Sequence, residues 1–219
     1  MDVTLFSILS IGFLLGIKHA IEPDHVIAVS TIASKSKKLW QSTLAGVFWG
    51  IGHTATLLVV GLILIVMKNE ISDRMSMSLE FVVGIMLVYL GIMNIINFRK
   101  KKQHTHPHME QSSNKMSYLK STTIGLVHGL AGSAAMVLLT MTIVNSVWEA
   151  AVYILVFGAG TILGMLFFTT LLGIPFVFSS KKYNVNRILA LSAGGISLVF
   201  GIYYMYNLGV TEGLFSLWI

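Results

Sequence analysis

Six long apolar segments constrain this chain more than any other feature of its sequence. A helix needs roughly twenty consecutive apolar residues to cross the hydrocarbon core of a bilayer. Of the 219 residues, 55% are hydrophobic and only 11% are charged, which is too apolar for an ordinary soluble domain. The predicted fold is therefore an all-α integral membrane protein with one transmembrane domain over residues 1–219. The predicted spans are approximately Leu5–Ile32, Leu44–Met67, Leu79–Asn97, Thr122–Val144, Ala150–Phe178 and Ile188–Tyr206.

Two of these predicted spans are longer than a bilayer requires, and each contains a proline. Pro23 lies in the first span and Pro175 in the fifth. Because proline cannot donate a backbone hydrogen bond, we expect a break, a tilt or a re-entrant piece in each. The residues before Lys18 lack the basic region and the cleavage site of a signal peptide, so we expect the first segment to be retained.

The composition argues against several classes of function. The chain has no cysteine, so it forms neither disulfides nor thiolate metal sites. Its net charge of +6 comes from basic residues in short loops, which indicates membrane topology rather than nucleic acid binding. The sequence contains neither a P-loop nor an HExxH helix, so we expect no enzyme activity and no ATP hydrolysis by this chain.

The distribution of lysine and arginine predicts the orientation. Basic residues follow the first, third and fifth spans, whereas the opposite loops hold only Lys68 and Arg74 beside acidic residues. The positive-inside rule places the three basic loops in the cytoplasm and both termini outside a bacterial-type cytoplasmic membrane. The tail, 208–219, is too short to span and is expected at the outer interface with Trp218 as its anchor. The basic loop residues are Lys35, Lys37, Lys38, Arg99, Lys100, Lys101, Lys102, Lys115, Lys120, Lys181, Lys182 and Arg187.

The two halves of the chain, about 3–98 and about 121–207, resemble each other across a cytoplasmic loop at about 99–120. Each half has three spans, so the second must insert upside down, as in many secondary transporters that bind substrate near the membrane midplane. The alternative is chance similarity between glycine-rich helices. The matches are Gly16-Ile-Lys-His19 with Gly125-Leu-Val-His128, Gly50-Ile-Gly52-His53 with Gly158-Ala-Gly160-Thr161, and Gly84–Gly91 with Gly195–Gly201, the last with one residue of slippage.

The stretch from Gly16 to Val26 places five ionisable side chains inside the first apolar segment. Each charge at a bilayer centre costs about 2.5–3.5 kcal/mol on insertion scales, so such residues mark an ion or substrate path by default. Imidazoles beside carboxylates favour a divalent transition metal. Lys18 and Glu22, four residues apart, are expected to pair on one helix face, which leaves Asp24 as the anionic ligand. The five residues are Lys18, His19, Glu22, Asp24 and His25.

Pro23 decides whether these ligands can meet. On an unbroken helix, Asp24 and His25 would lie about 140° and 240° around the axis from His19, too far apart to share an ion. A break at Pro23 would free backbone carbonyls and let the side chains converge. The alternative is a proline kink with buried, hydrogen-bonded histidines.

Two further histidines lie in other predicted spans. His53, in the second span beside Thr54, is a candidate ligand, and the alternative is a structural hydrogen bonder. His128 occupies the repeat position of His19, and Ser133 stands where Asp24 stands in the first half, so the second half has lost its carboxylates. His128 and Ser133 are a candidate ligand and a supporting hydroxyl, with helix packing as the alternative role for this stretch.

A separate group of histidines lies in the cytoplasmic loop. Alternating histidines in a polar segment bind metals loosely and could buffer or sense them, and a solvated linker is the alternative. The three residues are His104, His106 and His108.

These motifs resemble those of the nickel/cobalt transporter family. His19-Ala-Ile-Glu-Pro-Asp24-His25 is similar to its signature helix, while Gly52-His53-Thr54 and His128-Gly-Leu-Ala-Gly-Ser133 resemble its other helices. The similarity is closest to the short branch of UreH-type permeases associated with urease maturation. The resemblance implies high-affinity transport of Ni²⁺ or Co²⁺, without a prosthetic group, and a functional link to urease or other nickel enzymes. Glu22 and Pro23 depart from the aspartate and alanine of the family motif.

The sequence therefore predicts a six-span, inverted-repeat secondary permease that works in the uptake direction. Ni²⁺ is its preferred predicted substrate, and Co²⁺ is the next. The metal ion and the lipid bilayer are its expected partners, and a homo-oligomer is left open. Three alternatives remain: a nickel/cobalt efflux permease, an exporter of a small organic or sulfur-containing anion that uses Lys18, and an intramembrane metalloenzyme.

Overall fold

The computed structural model describes residues 3–67, 72–100, 114–143, 146–180 and 182–219. Throughout these ranges the regular structure is helical and no strand occurs. The helices are α1 (Val3–His19), α2 (Pro23–Ala33), α3 (Leu39–Met67), α4 (Asp73–Lys100), α5 (Asn114–Ile143), α6 (Val147–Ser179), α7 (Tyr183–Tyr206), a π-helical segment (Asn207–Thr211) and α8 (Leu214–Trp218).

Four of the helices, α3, α4, α6 and α7, are long and apolar enough to cross a membrane. The pair formed by α1 and α2 qualifies as a fifth span that is bent by 55°. Side chains of α5 are described only over residues 117–131, which is shorter than a span requires. The all-helical membrane fold is thus confirmed, whereas the fourth span, predicted at Thr122–Val144, stays a prediction.

The first span is broken at the predicted proline. Helix α1 ends at His19, and Pro23 is the first residue of α2. The intervening Glu22 is extended, with φ −61° and ψ 146°, as steric contact with a following proline requires. Pro23 fits the first turn of α2, where its missing N–H would have no partner in any case.

The second proline does not break its helix. Helix α6 runs without interruption from Val147 to Ser179 and contains Pro175. Of the break, tilt or re-entrant piece expected in the fifth span, the break and the re-entrant piece were therefore wrong, and the tilt stays a prediction. Pro175 lies four residues before the helix ends, so the missing backbone hydrogen bond disturbs only the last turns.

Small residues bring the helices together in pairs. Helix α1 packs on α6, α3 packs on both α5 and α6, and α4 packs on α7. Short α2 lies among them and contacts α3, α4, α6 and α7. Its buried side chains Ala28, Val29 and Ala33 are at most 2% exposed, and their small size lets α2 sit at the centre of the bundle.

The tail folds back on the beginning of α4. Trp218 donates from its indole Nε1 to the Ser78 hydroxyl at 3.3 Å, and the Arg74 guanidinium lies 5.2 Å from the centre of the Trp218 ring. Leu214 is only 3% exposed. Gly213 has φ +83°, which allows the sharp turn into α8. The outer-interface position of the tail stays a prediction.

Candidate metal centre

The break between α1 and α2 brings the predicted ligands together. His19 is the last residue of α1, and Asp24 and His25 lie in the first turn of α2. His53 comes from the middle of α3 and His128 from the middle of α5. All five predicted ligands thus form one cluster. Its residues come from three separate parts of the sequence: the break between α1 and α2, helix α3 and helix α5.

Direct contacts link all five side chains. The Nε2 atoms of His19 and His53 are 3.2 Å apart. The Asp24 carboxylate receives one hydrogen bond on each oxygen from an imidazole: His25 Nδ1 lies 3.2 Å from Oδ1, and His128 Nε2 lies 2.8 Å from Oδ2. Asp24 also accepts from the backbone N–H of His25 at 2.9 Å, which fixes the carboxylate at the start of α2.

Within this cluster, two overlapping sets of ligand atoms are close enough to hold an ion. His19, His25 and His53 form one set, and Asp24, His25 and His128 form the other. In each set the ligand atoms lie within 4.8 Å of one another. Ligands about 2.1 Å from a metal are at most about 4.2 Å apart, so movements of about half an ångström would close either set around one ion.

Buried nitrogen atoms in the cluster lack hydrogen-bond partners. His25, His53 and His128 are 1%, 0% and 2% exposed. In the described part of the chain, His25 Nε2, His53 Nδ1 and His128 Nδ1 make no hydrogen bond. An unsatisfied buried polar atom costs about 1–3 kcal/mol. Imidazole and carboxylate atoms suit nickel, cobalt and zinc, so a bound transition metal fits this donor set.

Aromatic side chains form the apolar wall of the centre. Trp49 of α3 is fully buried, and its ring stacks on His25 with centroids 6.0 Å apart and an angle of 14°. Phe157 of α6 lies 5.5 Å from the His19 ring. Such walls restrict water and fix the orientation of the imidazoles. Sequence reasoning missed both residues, because aromatic side chains in apolar helices carry no distinguishing pattern.

A cavity of about 330 Å³ adjoins the cluster. It contains two polar residues that sequence reasoning also missed, Glu80 of α4 and Tyr204 of α7. Glu80 stands at the second position of the predicted third span, so it resembles an interfacial carboxylate. The sequence carried no signal that separates Glu80 from such a carboxylate, because the helix start at Asp73, seven residues earlier, is known only from the structure.

The predicted pairing of Lys18 with Glu22 is not formed. Glu22 Oε2 instead accepts from His19 Nδ1 at 2.9 Å, and no ion pair joins Lys18 to Glu22 in the part of the chain that the structure describes. The expectation assumed one continuous helix. Because α1 ends at His19, the spacing of four residues no longer places the two side chains on one face. Both residues still line the cavity.

The other supporting residues differ in what the structure describes. Thr54 is buried and packs against Gly158 of α6, and its hydroxyl makes no hydrogen bond within the described ranges. The side chain of Ser133 lies outside the described residues, as do the loop residues His104, His106 and His108.

Comparison with known proteins gives the same context. A family model described as the cytochrome C biogenesis protein transmembrane region matches residues 7–203. The urease accessory protein UreH of Bacillus sp. (strain TB-90) is 60% identical over 225 residues, which cover 100% of this chain and 99% of that protein. A protein named as a nickel/cobalt efflux system in Methanocaldococcus jannaschii is 29% identical over 205 residues, covering 88% of this chain and 89% of that protein.

A more distant relative comes from a plant. The Arabidopsis thaliana chloroplast protein FOR GROWTH AND FERTILITY 2 is 27% identical over 171 residues, which cover 74% of this chain and 46% of that protein. No solved structure shows significant similarity to the chain.

Proposed function

Because the chain belongs to the family described as the cytochrome C biogenesis protein transmembrane region, and to the UreH-type branch of the nickel/cobalt transporters, we propose that it is a secondary permease for a divalent transition metal. Ni²⁺ is the preferred substrate and Co²⁺ the next, and the protein carries no prosthetic group. The relatives are named as an accessory protein and an efflux system, not as enzymes. The name of the Bacillus relative supports a functional link to urease.

The observation that carries this proposal is the convergence of four imidazoles and one carboxylate inside an apolar bundle. His19, Asp24, His25, His53 and His128 come from α1, α2, α3 and α5 and touch one another. Structural histidines would satisfy their ring nitrogens with neighbours, whereas three ring nitrogens here have none in the described residues. Pro23 supports the site by ending one helix and beginning the next.

Reciprocal contacts support the inverted-repeat architecture. A Cβ atom added at Gly16 of α1 would meet the carbonyl of Phe157 in α6, and one added at Gly125 of α5 would meet the carbonyl of Trp49 in α3. Gly125 follows Gly16 by 109 residues, and Phe157 follows Trp49 by 108. Exchanging the two halves therefore converts one contact into the other. The reverse contacts obey the same rule, with Gly160 against the Phe13 carbonyl and Gly52 against the Thr122 carbonyl.

The contact between α4 and α7 supports the same symmetry and adjusts the alignment. A Cβ atom added at Gly84 would approach the carbonyl oxygen of Gly201, and one added at Gly201 would approach that of Gly84. Gly91 and Gly194 are related in the same reciprocal way. Pairing Gly84 with Gly194 and Gly91 with Gly201 gives a constant offset of 110 residues. This alignment needs no slippage. It pairs Gly84 with Gly194 instead of Gly195, where an added Cβ atom would meet nothing within 4 Å.

In the proposed architecture, α1 and α2 form the first of six spans and α5 forms the fourth, with both termini outside the cytoplasmic membrane. Glu80 lies near the beginning of α4 and Tyr204 near the end of α7, so the cavity faces the predicted outer side. An ion would enter there, lose water, and be held by the imidazoles and Asp24 before alternating access exposes it to the cytoplasm. Uptake is the proposed direction.

Efflux is the second candidate direction. The name of the archaeal relative favours it, and the cavity on the outer side serves equally as an exit. Ion binding and direction are therefore separate claims, and they need separate measurements.

Transport into sealed vesicles of known orientation tests both claims. Vesicles containing the wild type should accumulate labelled Ni²⁺ applied to the outer side, and His25→Ala and Asp24→Asn should reduce the rate at least about tenfold, because each removes a ligand. Asp73→Asn, an exposed carboxylate in the first turn of α4, is the matched control and should transport normally. Full transport by both ligand variants would refute the site, and release of preloaded Ni²⁺ to the outer side would reverse the direction.

A further inference from the structure

The cavity beside the metal centre contains a carboxylate that the ligand cluster does not use. Glu80 of α4 lines this cavity together with Asp24 and His25. Its Oε2 accepts a hydrogen bond from the Tyr204 hydroxyl of α7 at 3.1 Å. No lysine, arginine or histidine of the described residues forms an ion pair with Glu80. Lys18 lines the same cavity but forms no ion pair with Glu80 within the described residues, so the Glu80 carboxylate is open to a mobile cation.

The surroundings of Glu80 hold it in place. It lies about 10 Å along α4 from the helix start, between two positions that the tail fixes. Trp218 donates to Ser78, and the Phe215 ring lies 5.9 Å from the ring of Phe81. The chain leaves α7 through a π-helical segment that begins three residues after Tyr204, and such segments are frequent at functional sites.

An independent observation indicates that a ligand belongs in this cavity. His25 lines it and is 1% exposed, and its Nε2 makes no hydrogen bond within the described ranges. Glu80 and His25 thus line one cavity, and its volume of about 330 Å³ is enough for an ion with several waters, since one water takes about 30 Å³. Carboxylate oxygens suit an ion that keeps its water, and imidazoles suit one that has lost it.

We propose that Glu80 is an outer station for the hydrated divalent cation, which passes from there to the ligands at His25 and Asp24. Tyr204 is a positioning residue that keeps the Glu80 carboxylate turned toward the cavity. The inference rests on the proposed function and adds a second site to it. A carboxylate at a cavity mouth raises the local concentration of cations by a factor of 10 or more at low ionic strength, and salt weakens this effect.

Initial rates of Ni²⁺ transport, measured against metal concentration and salt, test the proposal in vesicles. Glu80→Gln should raise the half-saturating concentration about tenfold at low salt and should remove most of its salt dependence. Glu80→Asp should restore both, and Tyr204→Phe should have a smaller effect of the same kind. Asp73→Asn is the control and should retain wild-type rates and salt dependence.

The absence of native cysteine allows a second test that does not depend on how well Glu80→Gln folds. Glu80→Cys would carry the chain's single thiol. Modification with a sulfonate-bearing thiol reagent should restore low-salt transport, whereas an ammonium-bearing reagent of similar size should suppress it, and Ni²⁺ should slow both modifications.

The outcomes separate the two proposals. Equal effects of the two reagents, or wild-type salt dependence in Glu80→Gln, would overturn the outer station, while loss of transport in Asp24→Asn would leave the proposed function intact. A wild type that moves no Ni²⁺ or Co²⁺ would overturn the proposed function, and the outer station with it.

Discussion

The packing of α3 against α5 sets the distance between two proposed ligands, His53 and His128. Gly129 lies in this helix contact, directly beside His128. A Cβ atom added at Gly129 would lie 2.6 Å from the carbonyl oxygen of His53 and 2.9 Å from Cβ of Thr56. Ordinary contacts begin at 3.4 Å, so Gly129→Ala must move the helices apart by about 0.8 Å. His128 is the adjacent residue, and the displacement therefore falls on the separation of His53 and His128.

Two effects follow from this displacement. Forcing an extra methyl group into a packed interface costs about 1–3 kcal/mol, and for a chain of this size each kcal/mol lowers Tm by about 2–4 °C. Metal–ligand distances tolerate only about ±0.2 Å, so a shift of about 0.8 Å should weaken Ni²⁺ affinity about 10- to 100-fold, as the loss of ligand support does in other metal sites.

Thermal unfolding in detergent, with and without Ni²⁺, measures both effects. The matched control is Gly195→Ala, because nothing lies within 4 Å of a Cβ at that position of α7. That variant should keep wild-type affinity and should be slightly more stable, since alanine favours a helix over glycine by about 1 kcal/mol at most. A Gly129→Ala protein with wild-type Tm and wild-type stabilisation by Ni²⁺ would refute both the packing and the location of the metal centre.

Three further predictions concern protons, a buried polar link and the tail. Because an imidazole nitrogen that carries a proton cannot bind metal, Ni²⁺ binding should weaken at acidic pH and recover when the pH is raised. Calorimetric titration at several pH values measures this, and binding that stays constant down to strongly acidic pH would contradict it. Asn94 is fully buried, accepts from the Ser34 hydroxyl at 3.0 Å and donates to the Ala190 carbonyl at 2.8 Å. Asn94→Ala should therefore lower the free energy of unfolding by about 1–3 kcal/mol. An unchanged Tm would show that the packing of α2, α4 and α7 does not depend on Asn94. Trp218→Ala should lower the free energy of unfolding by about 0.5–1 kcal/mol through loss of the contact with Arg74, whereas Trp148→Ala, at a position that is 77% exposed, should not; thermal unfolding of the two variants measures the difference.

Much of the site could be predicted from the sequence, because charge inside an apolar segment is rare and costly. His19, Asp24 and His25 stood out for this reason, and the angular spacing showed that only a break at Pro23 could let them meet. The structure has that break. Distances between separate helices could not be predicted in this way. The contact of His128 with Asp24 joins residues 104 positions apart, and it depends on how α5 packs against α3.

Where the sequence misled, the assumption of continuous or standard geometry was the cause. Lys18 and Glu22 were paired by helical spacing, but α1 ends between them. A break, a tilt or a re-entrant piece was expected at Pro175, yet α6 continues through it, because Pro175 lies close to a helix end where little backbone bonding is lost. Glu80 was overlooked because it stands at the edge of an apolar segment, where a carboxylate is common. Only its shared cavity with His25 distinguishes it from a residue facing water.

The proposed repeats share a scaffold but not a site, and this asymmetry bears on the transport cycle. His19 and His128 occupy corresponding positions, whereas Pro23 and Asp24 correspond to Gly132 and Ser133. The first half is broken there, while α5 continues through Gly132 to Ile143. One carboxylate therefore serves imidazoles from both halves, since Asp24 contacts His25 of α2 and His128 of α5. If one repeat moves against the other, Asp24 must lose one of these contacts or carry its partner along. His19, His25 and His53 all belong to the first half, whereas His128 is the only member of the other ligand set that belongs to the second. Such a movement would therefore separate His128 from Asp24 and leave the set of three histidines together, so the two ligand sets would differ in how they respond to the transport cycle.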